Sequence, residues 1–368
     1  MIRLLALVQK AVGIAPGQRF RLEQWAPHLE ARHGIRIDFL PFESPALTEV
    51  LYQPGSRVTK ARLMLGDAVR RREVLAKARG YDGVVIYREV SLLGPAIYER
   101  LLARTGIPIL YDFDDAIWLP AVGTVNGAFA RLRFVGKTRT ICKLATTVVV
   151  GNAYLAAWSR QHCADVVVVP TSIELGKYPV LPPLPAPSDE VPFTIVWTGT
   201  VSTLVHLELA RRPVELLARR RKVRMRIVCS RPPERPFDGV ETVFVPWRAD
   251  SEAADLGPAH VGIMPLPDEA VARGKCGCKA LQYMAVGRPV VIAPVGVNTD
   301  IVQSGRNGIL ATTDDEWVDA LESLAASAEL RARLAAAGRR TVEEGFSAEA
   351  SAARFAEAVR SAVRARRA

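Results

Sequence analysis

Short apolar, β-branched runs alternate along the chain with longer amphipathic stretches. In the first half the runs at 2–8, 35–40, 83–87, 107–111, 147–150 and 165–169 predict strands, and helical patterns such as 57–79 and 92–104 separate them. Runs such as VVVV are apolar on both faces, the mark of a parallel sheet covered by helices on each side. The alternation stops at PVLPPLPAPSDEVP, residues 179–192, where six prolines in fourteen positions forbid a packed helix or a central strand and predict a stiff connector. It restarts with strand runs at 193–197, 224–229, 242–245, 261–264 and 289–293. The fold class expected is α/β: two doubly wound, Rossmann-like domains facing across a cleft. The domains are 1–178 and 193–346, and the last segment, 347–368, is a basic helix crossing back to the first. Ligands of such sheets lie beyond the carboxyl ends of the strands.

A chain of 368 residues, 49% hydrophobic and 24% charged, suits two soluble domains of ordinary size. The start, MIRLLALVQK, has too short an apolar core for a signal peptide and reads as a buried first strand. No run of 18 apolar residues occurs, and five scattered cysteines make no disulfide framework, so a cytoplasmic location is expected. The net charge of +11 is uneven: residues 1–178 hold 24 Lys+Arg against 15 Asp+Glu, the remainder 25 against 23. Arg131, Arg133, Lys137, Arg139 and Lys143 among Phe129, Leu132, Phe134 and Ile141 read as a solvated face, or as a basic amphipathic helix touching anionic membrane at its inner face. The run RRRKVRMR, 219–226, lacks the interleaved aromatics of a nucleic-acid surface, so no nucleic-acid partner is expected.

The densest chemistry lies in RGKCGCKALQYMA, 273–285. A Walker-type loop would need glycine and Ser/Thr where Glu269 and Cys276 stand. Cys276 and Cys278 find no second pair of ligands among the other cysteines or the five histidines, so no metal is expected. What remains is a glycine loop opening a helix near Cys278. Gly274 and Gly277 allow close backbone approach, the helix start offers free N–H groups, and Lys275 and Lys279 add charge suited to a diphosphate. A plain turn with solvated lysines is the competing reading.

The segment PLPDEAVARGKCGCKALQYMAVGRPVVIAPVGVNTDIVQSGRNGILA resembles the donor-binding segment of GT-B glycosyltransferases of the "group 1" (family four) class. APGQRFR, PILYDFDDAIW, VVVPTSIELGKY and FTIVWTGTVSTLVHLELA are similar, in order, to further segments of that class, so the resemblance spans nearly the whole chain. It implies transfer of a sugar, with retention, from a nucleotide-sugar donor on the second domain to a glycan, lipid-linked or small-molecule acceptor on the first. No cofactor or metal is implied. Residues Gly274, Cys276, Gly277 and Cys278 would meet the donor's hydroxyls and phosphates, and Gln282 would hold the ribose. Gly199, Val245 and Trp247 would line the nucleotide, and Gly17 and Arg19 would approach from the first domain. The class's paired glutamates align with Gly274 and Gln282, and its basic pair aligns near Thr200 and Val205, so both carboxylates and both cations are missing. Arg273, Lys275 and Lys279 are the replacements at hand. Asp114 and Asp115, at the end of a buried strand, would position the acceptor hydroxyl, or cap a helix. The leaving phosphate itself can take the acceptor's proton. The rival readings are a nucleotide-sugar epimerase or hydrolase on the same fold and a non-catalytic two-lobed sugar-nucleotide binder.

Overall fold

The computed structural model describes residues 1–51, 55–92, 94–119 and 136–367. The chain divides into two units, Met1–Thr171 with Ala348–Ala368, and Ser172–Ser347.

The first unit is built on a six-stranded parallel sheet in the order β2-β1-β3-β4-β5-β6. Its strands are β1 (Ile2–Val8), β2 (Ile35–Pro41), β3 (Gly83–Tyr87), β4 (Ile109–Phe113), β5 (Thr147–Val150) and β6 (Val166–Val168). Strands β3, β4 and β5 are buried at every position, as their continuous apolar runs demand. The sequence places the fourth strand at 107–111. In the structure it is shifted two residues onward, which carries Asp112 into the sheet interior, where Arg21 binds it through Nε at 2.7 Å and Nη2 at 2.6 Å. The helical stretch expected at 57–79 is broken into Arg57–Arg70 and Glu73–Ala78, and that expected at 92–104 begins only at Ile97, beyond Pro95. Proline removes a donor and disfavours helix in the residue before it.

The C-terminal helix Ala348–Arg367 belongs to the first unit, in line with the expected crossing back. Ala352, Phe355, Ala356 and Val359 join the core, and Phe355 meets Trp25 with ring centroids 5.4 Å apart. The basic-stripe reading needs correction. In helix Lys137–Leu144, Arg139 and Lys143 are exposed, but Lys137 is buried, paired with Glu89 and Glu99 and donating to the Ser91 carbonyl. A desolvated ammonium held by two carboxylates is not offered to lipid. Phe129, Arg131, Leu132, Arg133 and Phe134 lie outside the described residues.

The second unit carries β7 (Phe193–Thr198), β8 (Val223–Cys229), β9 (Glu241–Pro246), β10 (Val261–Met264), β11 (Val290–Ile292) and β12 (Ile309–Leu310), all parallel, in the order β12-β11-β10-β7-β8-β9. Strand β12 has no counterpart among the expected runs, because two residues give no periodicity to read. Residues 172–178, assigned from sequence to the first domain, belong to this unit: Ile173 bridges Ser347, and the Tyr178 hydroxyl bonds Glu252 and Gln282. Nor is the proline-rich stretch free of the unit. Arg288 holds the carbonyls of Leu181 and Pro182, and the Pro185 carbonyl lies 2.9 Å from the His260 ring. A strand-poor proline segment leaves its carbonyls unpaired, and Arg288 supplies the missing donors. Three of the six cations at 219–226 form ion pairs within the unit, Arg221 with Glu322, Arg224 with Glu241 and Arg226 with Asp255.

Candidate functional site

In the second unit the strand order reverses between β7 and β10, and the crevice beyond their carboxyl ends is where a doubly wound sheet offers a ligand site. Two small residues bring the following helix close. Gly262 on β10 has no room for a Cβ against the Tyr283 ring, whose hydroxyl accepts the Thr198 N–H at 2.8 Å, pinning helix Cys278–Ala285 to the end of β7. Gly277 caps that helix at φ 67, a left-handed conformation that disfavours any Cβ, and a Cβ there would also overlap Ile301 Cδ1. Gly277→Ala is therefore expected to cost about 2–4 kcal/mol, from left-handed strain plus overpacking. Thermal unfolding reads it, and an unchanged midpoint would show that the loop absorbs a side chain.

Around this helix start stand the cations. Lys279 Nζ lies 5.7 Å from the centroid of the buried Trp197 ring, a cation–π contact that fixes the ammonium at the end of β7. His206 is pushed down to about 4 by its burial and then by the fields of Lys279 and Lys275, so all three groups share one locality and the imidazole is neutral near pH 7. Gly199 closes the same corner: a Cβ there would sit 2.6 Å from both Thr203 Oγ1 and the Trp197 ring. Gly274 ends helix Ala270–Arg273 in ordinary right-handed geometry and its carbonyl accepts from Cys276 Sγ at 3.8 Å. Arg273 is paired with Asp268 at 2.7 and 3.1 Å, and the lysine fields that reach His206 are those of Lys275 and Lys279.

One turn into the helix, Gln282 is buried and donates through Nε2 to the Tyr178 hydroxyl at 2.9 Å. Tyr178 donates to Glu252 Oε2 at 2.8 Å, and Trp247 Nε1 donates to Glu252 Oε1 at 2.9 Å. The Trp247 backbone N–H donates to the Cys229 carbonyl, which holds this residue at the carboxyl ends of β8 and β9. Val245, the last-but-one residue of β9, pairs with Val228 and is half-buried. Burial, reinforced by the Glu252 charge, pushes the Tyr178 phenol well above its ordinary value, so it stays a donor.

The first unit holds a separate cluster beyond β3 and β4. Asp114 Oδ1 accepts from the Tyr87 hydroxyl at 2.8 Å and from Arg88 at 2.7 and 3.1 Å, and Asp115 Oδ2 accepts from Arg88 at 2.6 Å. Burial favours the neutral form of Asp114, but Arg88 and Arg21 outweigh it and hold the carboxyl below its usual range. Arg88 itself sits at φ 64, strained for a non-glycine residue, with its N–H on the Asp112 carbonyl and its own carbonyl accepting from Tyr111. Gly17 packs on this cluster, where a Cβ would overlap the Tyr87 hydroxyl and come 2.5 Å from Asp114 Oδ2. The Arg19 guanidinium lies 5.3 Å from the centroid of the Phe20 ring. Among the described residues no group of three or more His, Cys, Asp or Glu is placed to hold a metal ion.

Residues 192–327 match the family model described as Glycosyl transferases group 1. The second unit carries a group 1 glycosyltransferase domain. A curated D-inositol 3-phosphate glycosyltransferase from Nocardioides sp. is 26% identical over 84% of this chain and 73% of its own length. Two solved structures share the fold of nearly the whole chain. Sucrose-phosphate synthase from Thermosynechococcus elongatus matches with TM-score 0.66 and 16% identity over 99% of this chain and all of its own. HepE from Anabaena, solved with UDP-glucose, matches with TM-score 0.64 and 15% identity over 98% of this chain and all of its own. The fold is GT-B.

Within this glycosyltransferase the structure gathers Gly199, Lys275, Gly277, Cys278 and Lys279 at one helix start and ties Gln282 to Trp247. It pairs Arg273 with Asp268 and sets Arg19 against the Phe20 ring. Two residues near the site escaped the sequence reading. His206 adjoins Val205, a position near which the class has a cation, but a lone histidine carries no sequence signal of its own. Glu252 lies far from the glycine loop in sequence, and its one signal was the acidic helix start SEAADL.

Proposed function

We propose that this glycosyltransferase moves a sugar, with retention, from a nucleotide-sugar donor to an acceptor hydroxyl and needs no metal. The observation that carries the donor site is the left-handed Gly277 cap, which opens helix Cys278–Ala285 between Lys275, Lys279 and neutral His206 at the switch point of the second unit. A helix start with free N–H groups and two ammonium groups matches a diphosphate in charge and geometry. Gln282 and Trp247 would then meet the nucleoside. The UDP-glucose complex of HepE supports a nucleoside diphosphate sugar as donor. In the first unit Asp115, with Asp114, would position the acceptor, and Gly17 would pack beneath it. The inositol-phosphate relative makes a phosphorylated cyclitol the first acceptor to try, ahead of glycans and lipid-linked sugars.

Calorimetric titration with UDP-, GDP-, ADP- and TDP-sugars tests the reading. One of them is expected to bind in the micromolar range with EDTA present, and product from that donor should keep the anomeric configuration. No binding by any of the four, or binding only after a divalent ion is restored, would refute it. No helix among the described residues is long and apolar enough to cross a membrane. Any membrane contact would therefore be peripheral.

A further inference from the structure

The chain Trp247–Glu252–Tyr178–Gln282 has a direction. A carboxylate only accepts, and both Glu252 oxygens are engaged, Oε1 by the Trp247 indole and Oε2 by Tyr178. A phenol has one proton to give, and here it goes to Glu252. Toward Gln282 the Tyr178 oxygen can therefore only accept, and it accepts from Nε2 at 2.9 Å. That fixes the amide: nitrogen inward to Tyr178, Oε1 turned the other way, toward the first turn of the helix, where it accepts from Cys278 Sγ at 3.9 Å and keeps a second lone pair. We infer that Glu252 and Tyr178 are positioning residues that lock Gln282 as a pure hydrogen-bond acceptor, so that a neutral side chain offers the site the same oxygen a glutamate would, and recognises hydroxyl donors such as a sugar diol. The inference rests on the donor-site reading for its ligand, but the relay itself does not.

The locked amide explains how position 282 dispenses with a carboxylate. A glutamate there would compete with Glu252 for the single Tyr178 proton, leaving one buried carboxylate oxygen without a donor. Reversing the two residues reverses the relay without breaking it. With Gln at 252, Oε1 still accepts from Trp247 while Nε2 donates to Tyr178, which then donates to the residue at 282.

Three variants test this: Glu252→Gln, Gln282→Glu and the double exchange, each by thermal unfolding and by titration with UDP, GDP and ADP. Gln282→Glu alone is expected to lower the unfolding midpoint by about 4 °C or more, as an unmet buried partner does. Glu252→Gln alone should fold but turn the Gln282 amide nitrogen outward, weakening the best-bound nucleotide about tenfold. The double exchange should restore both midpoint and affinity to within about threefold of the parent. Additive losses in the midpoint would overturn the relay whatever the nucleotides do. Rescue of the midpoint with affinity unmoved in every variant would keep the relay and sink the donor-site reading.

Discussion

Lys275→Ala is expected to lower turnover about 10²–10³-fold, the scale on which a preorganised charge stabilises a developing one. Negative charge grows on the diphosphate as the glycosidic bond breaks, and Lys275 stands at the N-terminal end of the helix that would receive it. Arg273, the other nearby cation, is paired with Asp268, and Lys279 already stands over Trp197 at the same helix start, so neither occupies the place of Lys275. Because the interaction strengthens in the transition state, kcat and kcat/KM should fall together, with donor affinity changing far less. Cys276→Ser and Cys278→Ser should fold and keep most activity. Steady-state kinetics with the donor found by titration reads all three, and a Lys275→Ala enzyme within a few-fold of the parent would remove the lysine from the chemistry.

The second large effect is on stability. Arg21→Met is expected to destabilise the protein by about 3–5 kcal/mol, because it strands Asp112 in the interior of the first sheet. Both side chains are fully buried, and Arg21 also donates to the Val169 carbonyl at 2.8 Å. Burial raises the Asp112 pKa even with Arg21 beside it, so the carboxylate depends on its partner to stay charged. Arg21→Met/Asp112→Leu should recover most of the loss, since a well-packed apolar pair carries no stranded charge. Denaturant unfolding that shows a loss below about 1 kcal/mol for the single variant would mean water reaches the pair. Turnover of the double variant matters as well, because Asp112 adjoins the Asp114–Arg88 cluster without touching the acceptor in the proposed mechanism.

The sequence by itself determined the two parallel sheets. Apolar runs such as VVVV and GVVIY are stable only when both faces are covered, and their spacing left room for the crossover helices between them. It determined the glycine loop too, since Gly277 followed by a helical pattern with lysines at 275 and 279 has a local meaning: a left-handed cap, a helix start and two charges within one turn. Tertiary structure alone decided which charges remain available. Arg273 and Lys279 look equivalent in the sequence, but one meets Asp268 and the other the Trp197 face. Lys137 reads as part of a solvated stripe until Glu89 and Glu99 are seen around it. The same holds for the limits of the proline segment, whose carbonyls Arg288 gathers onto the second unit, and for Glu252, which is linked to Gln282 through Tyr178 only when the segment after β9 and the glycine-loop helix are folded together. Periodicity reports which face of an element is buried. It carries no information about which partner, dozens of residues away, will meet a polar group once that face closes, and the function of a buried glutamine depends on that partner.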